Sequence, residues 1–421
     1  MMRILILSNY YHPEDIGAGI WVTQLAKDLR GRGHAVTVVT SFPSYPRGRI
    51  FDGYRNRFTQ SEMIDGIEVI RTLTYATCGK SFLARSAAFG TFCLSAAPGY
   101  LRFRRKVDVV YAVLPPLPLG VAACAIAKTS GARLVVNIQD IYPDIAVALN
   151  YITNPIVVTF FRAMERWIYR QSERVVVISE GFRENLISKG TPPAKVRVVP
   201  NWADADQIVP GSRENAFRRE GGATDNELLV LYSGGLTHNA DLETVLDAAL
   251  LLRGTPIRFV IVGDGVQKQV LLEKARLAAL DNVKFLPFQP LDRYPEVLAA
   301  SDVTLVSLNS GATFASVPSK VYKQMAAARP IVAVTNPGNE LSRLIGDAQC
   351  GVAVAPGNVQ ELAHVLQVAS HQREAFAEMG RRGRAYLERN CSRRVCVAQI
   401  ENVLIDACGA AQTRSEPSHV S

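Results

Sequence analysis

Two lysines three residues apart, Lys320 and Lys323, stand in the stretch "SVPSKVYKQMAAARP" (residues 316–330), which holds no acidic residue. Pro318 suits the first turn of a helix, where its missing N–H is no loss, and Ser319 suits the same boundary. A helix start carries unpaired N–H groups and partial positive charge, so a lysine there is unfavourable unless an anion lies opposite. Ser316, Val317, Pro318 and Ser319, with Lys320, therefore read as an anion site that a diphosphate would satisfy. Lys320 extending into water is the competing reading. Lys323, one turn further, either reaches the same anion or points to solvent.

Three glycine-bearing turns follow apolar runs. "GAG" at Gly17 to Gly19 and "SGG" at Ser233, Gly234 and Gly235 each precede a helical pattern, and the missing Cβ atoms let a ligand approach backbone N–H groups. A full G-x-G-x-x-G is absent because position 22 is Val22, and no acidic residue closes the next strand, which argues against a dinucleotide. Gly263, Asp264 and Gly265 in "IVGDGVQ" border a flat base or form a plain turn. Asp140 and Asp144 in "NIQDIYPDIAV" end another apolar run, where a carboxylate orients an acceptor hydroxyl or takes its proton. Helix capping is the alternative for Asp144. His12 and His238 lie on loops of the same kind, where a histidine is more often a surface or turn residue than a catalytic one. No carboxylate cluster has metal-ligand spacing, so neither a metal nor another cofactor is expected.

These residues need strands to end where they stand. "RILILSNY", "HAVTVVTS", "GIEVIRTLT", "VDVVYAVLP", "ARLVVNIQD", "RVVVISE" and "KVRVVPN" read as strands with helical stretches between most of them. The alternation restarts with "LLVLYSGG", "IRFVIVGDG", "NVKFLPF", "SDVTLVSL", "PIVAV" and "GVAVAPG". The chain is thus expected to be α/β, with two doubly wound Rossmann-like domains and a ligand cleft between them at the carboxyl ends of the strands. The first domain is expected over 1–200, a polar linker over 201–226, the second domain over 227–408 and a disordered tail over 409–421.

Composition agrees with a globular protein: 421 residues, 48% hydrophobic and 20% charged. The net charge of +9 is uneven, since residues 1–200 carry 25 Lys/Arg against 14 Asp/Glu and the rest carry 22 against 24. The basic first half points to an anionic partner. Seven cysteines without a C-x-x-C pair suggest reduced thiols in the cytosol. The start "MMRILILSNYYHPED" has no small-residue cleavage site and reads as a first strand. Residues 80–106, "KSFLARSAAFGTFCLSAAPGYLRFRRK", have an apolar centre interrupted by Arg85 and Pro98 and end with Arg102, Arg104, Arg105 and Lys106. An interfacial helix on an anionic membrane is expected here, with a core helix ending in basic residues as the alternative. Nucleic acid is disfavoured, because the basic excess lacks interleaved aromatics on a strand.

From Arg3 to about Asp406 the chain resembles the retaining glycosyltransferases of family 4, which have the two-lobed GT-B fold. The resemblance rests on "YYHPEDIGAGIWVTQLAKDLRGRGHAVTVVTS", "VVVISEGFRENLISKGTPPAKVRVVPNWAD", "IVGDGVQ", "NVKFLPF" and "AASDVTLVSL" in family order. "VLPPLPLG", "IQDIYPD" and "VPSKVYKQMAAARP" are similar to a subgroup that builds bacterial surface polysaccharides, including N-acetyl-L-fucosamine and colanic-acid-type transferases. The resemblance implies a nucleotide-sugar donor, commonly a UDP-sugar, and a lipid-diphosphate-linked glycan acceptor at the cytoplasmic membrane face. Taken with the residue reading above, donor contacts are expected at Gly17, Gly19, Ser233, Gly234, Gly235, Gly263, Asp264, Phe288 and residues 316–319, acceptor contacts at His12 and Asp144, and catalytic roles for Asp140 and Lys320.

The chain departs from the family at two glutamates seven residues apart, whose places hold Ala315 and Lys323. The Arg and Lys that hold the donor diphosphate in the family fall at Gly235 and Ala240, and Lys320 is expected to replace their charge. The missing carboxylates leave a catalytically silent binding subunit, or a nucleotide-sugar epimerase, as alternatives to a transferase.

Overall fold

In a computed structural model that describes residues 1–14, 17–45, 47–77, 82–103, 105–148, 150–310 and 318–409, the chain divides into two compact units. Unit 1 comprises Met1–Pro200 and Val397–Ser421, and unit 2 comprises Asn201–Cys396.

Unit 1 is built on β1 (Arg3–Leu7), β2 (Ala35–Ser41), β3 (Thr59–Ile64), β4 (Ile67–Thr72), β5 (Val109–Leu114), β6 (Arg133–Ile138), β7 (Arg174–Val177) and β8 (Val196–Val198). They form one sheet in the order β3-β4-β2-β1-β5-β6-β7-β8. Every pair is parallel except β3 with β4. Near-continuous Val, Ile and Leu runs suit strands covered on both faces, and β5 is buried at every residue. The helices are α1 (Ala18–Gly31), α2 (Phe82–Leu101), α3 (Pro118–Ser130), α4 (Asp144–Ala148), α5 (Pro155–Gln171) and α6 (Glu180–Ser188). The chain winds outward from β1 and returns to β5, so a topological switch lies between those strands.

Unit 2 carries β9 (Leu228–Ser233), β10 (Ile257–Val262), β11 (Val283–Leu286), β12 (Val303–Ser307), β13 (Ile331–Val334) and β14 (Gly351–Val354), in the order β11-β10-β9-β12-β13-β14, all parallel. Its helices are α7 (Ala216–Glu220), α8 (Leu242–Leu251), α9 (Lys268–Leu277), α10 (Tyr294–Ala299), α11 (Lys320–Ala326), α12 (Glu340–Ala348), α13 (Val359–His371) and α14 (Arg373–Asn390). The switch lies between β9 and β12. A last helix, α15 (Arg393–Gly409), begins in unit 2 and continues in unit 1.

The structure differs from the sequence reading at three places. Residues 201–226, expected as a linker, pack within unit 2: Phe217 is buried, and the buried Arg218 donates to the Ala300 and Glu227 carbonyls at 2.9 and 2.6 Å and pairs with Asp302 at 2.9 Å. Residues from Val397 onward group with unit 1, where Glu401 pairs with Arg32 and His34, each at 2.7 Å, and Asp406 pairs with Arg174 at 2.8 Å. Finally, α2 turns Phe92, Cys93, Ala96 and Tyr100 into the core beneath the sheet, as the alternative reading of this segment has it, while Leu94 is 80% exposed. At its basic end Arg105 pairs with Glu68 at 2.8 Å, and Arg104 lies outside the described residues. Among the described residues no helix is long and apolar enough to cross a membrane. Cys93, Cys124, Cys350, Cys391, Cys396 and Cys408 are free thiols, while Cys78 and the expected tail from 410 onward lie outside the described residues.

Candidate functional site

At the switch of unit 2, β9 delivers Tyr232 and the turn Ser233 to Gly235, and the segment after β12 delivers α11. The Lys320 ammonium lies over the Tyr232 ring, with Nζ 4.1 Å from the centroid. The Tyr232 hydroxyl donates to the Gly235 carbonyl at 2.9 Å, so the ring is held by the turn it underlies. A Cβ on Gly234 would stand 2.8 Å from Lys320 Nζ, and glycine leaves that space to the ammonium. No carboxylate among the described residues pairs with Lys320. Lys323 repeats the arrangement, with Nζ 5.3 Å from the Tyr294 ring centroid, and burial pushes its ammonium pKa down. Two lysines thus do without an acid because each meets an aromatic face. A ring quadrupole stabilises a cation without neutralising it.

The packing of α11 fixes this geometry. Val321, Tyr322 and Met325 are buried, and Arg384 of α14 donates to the Ala326 carbonyl at 2.5 Å and to those of Ala205 and Ile208 at 2.9 and 2.6 Å. Ser319 precedes the helix with helical dihedrals and makes no side-chain cap, and Pro318 stands half-buried before it. Ser316, Val317 and Ala315 lie outside the described residues.

The glycine turns of β9 and β10 pack on one another. A Cβ on Gly263 would lie 2.0 Å from the Gly234 carbonyl oxygen, and one on Gly265 would lie 2.3 Å from that of Leu236. These glycines are therefore demanded by loop-to-loop contact. The turn Ser233 to Gly235 is not itself a helix start, contrary to the sequence reading. Residues 236–241 intervene, and α8 is capped by its own Asp241, which accepts from Thr244 N–H at 3.3 Å. Asp264 is exposed and committed: Gly265 N–H donates to it at 2.7 Å and Lys268 pairs with it at 3.2 Å, which together hold its carboxyl below the usual range. Phe288, two residues past β11, is exposed. His238 is exposed, with its Nδ1 2.5 Å from Gln267 Nε2.

In unit 1, Asp140 sits two residues past β6, half-buried. It makes no hydrogen bond or ion pair among the described residues, and burial pushes its carboxyl up to about 7. A carboxylate kept near neutrality at a strand's carboxyl end is suited to exchanging or orienting a proton. Asp144 is different. It pairs with Lys189 at 2.7 Å and accepts from Asn185 at 3.2 Å, while Lys189 also meets the buried Glu165 at 3.1 Å. Its carboxylate is therefore already paired within unit 1.

The loop after β1 is tied down by residues the sequence reading missed. Buried Arg71 donates to the His12 carbonyl at 2.6 Å and the Ser41 carbonyl at 3.2 Å, pairs with Glu62 at 2.5 Å and lies 4.7 Å from the Tyr54 ring centroid. The His12 N–H donates to Thr23 Oγ1 at 3.0 Å. Buried Glu14 accepts the Ser44 and Tyr45 N–H groups at 2.9 and 2.8 Å, and its carboxyl is pushed up chiefly by burial. Gly17 precedes α1 at φ 57°, and a Cβ on Gly19 would lie 2.1 Å from the Glu14 carbonyl oxygen. Gly19 is thus required by the loop's own backbone. Nothing in residue spacing marks Arg71 or Glu14, whereas Tyr232 stands beside the glycine turn and reads from sequence only as part of a strand.

Among the described residues no group of three or more His, Cys, Asp or Glu side chains is placed to hold a metal ion. Residues 17–202 match the family described as a glycosyl transferase 4-like domain, and residues 213–386 match glycosyl transferases group 1. WcaI of Escherichia coli (strain K12), a putative glycosyl transferase of colanic acid biosynthesis, is 31% identical over 377 residues, 87% of this chain and 92% of its own. Among solved structures, sucrose-phosphate synthase from Thermosynechococcus elongatus has a TM-score of 0.75 at 16% identity, covering 97% of this chain and 100% of that one. Anabaena HepE, solved in complex with UDP-glucose, has a TM-score of 0.71 at 18% identity over 96% of this chain and 100% of its own. The shared fold is the GT-B arrangement of two parallel-sheet α/β domains.

Proposed function

Since this chain belongs to the glycosyltransferase family that joins a glycosyl transferase 4-like domain to a glycosyl transferases group 1 domain, we propose that it is a retaining enzyme of bacterial exopolysaccharide, capsule or O-antigen biosynthesis. Its donor is a nucleotide-sugar, in this reading a UDP-sugar, and its acceptor is a lipid-diphosphate-linked oligosaccharide at the inner face of the cytoplasmic membrane. The name of the E. coli relative supports the polysaccharide class, and the UDP-glucose bound to Anabaena HepE supports a uridine donor.

The observation that carries the reading is the uncompensated Lys320 ammonium above the Ser233 to Gly235 turn. In unit 2 the donor diphosphate takes the place of the anion that Lys320 lacks. As the bond between the anomeric carbon and the phosphate oxygen breaks, negative charge grows on the leaving phosphate, and a fixed cation lowers that barrier. The acceptor oxygen forms its bond to the anomeric carbon on the same face, and its proton leaves toward the departing phosphate. Asp140, at the carboxyl end of β6, is a separate candidate for orienting an acceptor hydroxyl. Ser233, Gly234, Gly263 and Phe288 remain proposed donor contacts, and His12 a proposed acceptor contact.

The test is incubation with a panel of nucleotide-sugars, with and without lipid-linked acceptor. Acceptor-dependent nucleotide release is expected. Sugar isomerisation without release indicates an epimerase, and neither reaction indicates a silent binding subunit.

A further inference from the structure

The outward face of α5 combines an apolar stripe with a row of arginines. Toward the core the helix buries Glu165, Ile168 and Tyr169. On the opposite side Ile156, Phe160 and Trp167 are 78%, 59% and 44% exposed, and Ala163 is exposed between them. Positions 156, 160, 163 and 167 fall on one stripe at helical spacing. Arg162, Arg166 and Arg170, at intervals of four, form an exposed row beside it. None of the three pairs with a carboxylate among the described residues, and the helix's one acid, Glu165, is buried on Lys189.

We propose that this face docks unit 1 onto an anionic lipid bilayer, with Ile156, Phe160 and Trp167 entering the boundary of the acyl chains and the three arginines meeting anionic headgroups. It deepens the reading above, on which it rests for a lipid-linked acceptor, and it moves the membrane contact from α2 to α5. Three features select lipid. An exposed tryptophan and phenylalanine beside unpaired guanidinium groups match the two layers of a membrane interface. A second copy pairing through the same face would bring arginine row against arginine row. The approach also suits the chemistry, because the chain leaves β6, passes Asp140 and enters α5 after residues 139–154, which puts Ile156 and Phe160 at the strand-end side of unit 1.

The experiment is flotation of the full chain with vesicles of phosphatidylethanolamine and phosphatidylglycerol, roughly one lipid in three anionic. The intact chain is expected to float with these vesicles and to be released by salt. Phe160→Ser with Trp167→Ser, and separately Arg162→Glu with Arg166→Glu, are each expected to weaken binding about tenfold or more. Leu94→Ser on α2 is expected to leave binding unchanged. Circular dichroism and melting of each variant establish that it folds. Quenching of tryptophan emission by brominated acyl chains, lost in Trp167→Phe, reports insertion without disturbing the face. Absence of flotation by the intact chain, equal flotation of the α5 variants, or self-association that the α5 variants abolish would each overturn the proposal. Flotation is read without substrate, so it stands if transfer fails. Conversely, turnover on detergent-dispersed acceptor stands if docking fails.

Discussion

The Lys320 ammonium and the Tyr232 ring form a cation–π pair at 4.1 Å, and the ring's hydroxyl is bonded to the Gly235 carbonyl of the turn beneath the ammonium. The tyrosine therefore aims the lysine while leaving its charge available. Tyr232→Leu removes an interaction of about 1 kcal/mol and frees the ammonium to wander. A rise of roughly fivefold in the KM for the nucleotide-sugar is expected, with Tyr232→Phe affected less because the ring remains. Donor titrations of the two variants check this.

Gly234→Ala places a methyl 2.8 Å from Lys320 Nζ. The flexible end of the lysine must move, and at φ 154° an alanine also strains the backbone. We expect a loss of about tenfold in kcat/KM together with a loss of stability of about 1 kcal/mol or more, measured on the same preparation. Gly263→Ala, at φ 159°, adds a methyl driven against the Gly234 carbonyl oxygen and should destabilise unit 2 by about 1–3 kcal/mol.

Asp140 gives opposite signs for stability and activity. Its folded carboxyl lies near 7, above the ordinary aspartate value, so the folded chain holds a proton that the unfolded chain releases between those values. Stability then falls as pH rises from about 4 to about 7 and levels off above. Asp140→Asn is expected to gain up to about 4 kcal/mol near pH 8 and nothing near pH 4, by denaturant titration at both. In the intact enzyme turnover should rise with pH through about 7, and the variant should lose that rise.

Lys189 holds together two carboxylates, one of them buried. Lys189→Met leaves Glu165 without its cation, and a loss of about 3 kcal/mol is expected near pH 8. The loss should shrink as pH falls, because burial already raises the Glu165 carboxyl and a protonated acid needs no partner. Denaturation midpoints across pH decide it.

The buried parallel strands were legible because runs such as "VVYAVL" and "IRFVIV" are short, rich in β-branched and aromatic residues and bounded by turn residues. The edge strand β3, "TQSEMI", was not, since none of its residues is buried and its alternation is mostly polar. The same limit explains α2, whose apolar content fits a core or a membrane equally until its neighbours are known. Lys320 and Asp140 could be singled out from charge and position, but the neighbours that pair with or aim such groups lie far off in sequence. Tyr232 is 88 residues from Lys320, and Lys189, which pairs with Asp144, is 45 residues from it.

The most direct measurement is acceptor-dependent nucleotide release by Lys320→Ala at saturating donor, beside the intact enzyme and with melting temperatures matched. A fall in kcat of about a hundredfold or more is predicted, as for loss of a group that stabilises developing charge on a leaving oxygen. Turnover equal to that of the intact enzyme would contradict the account, because the charge set over the glycine turn would then have no part in the departure of the nucleotide.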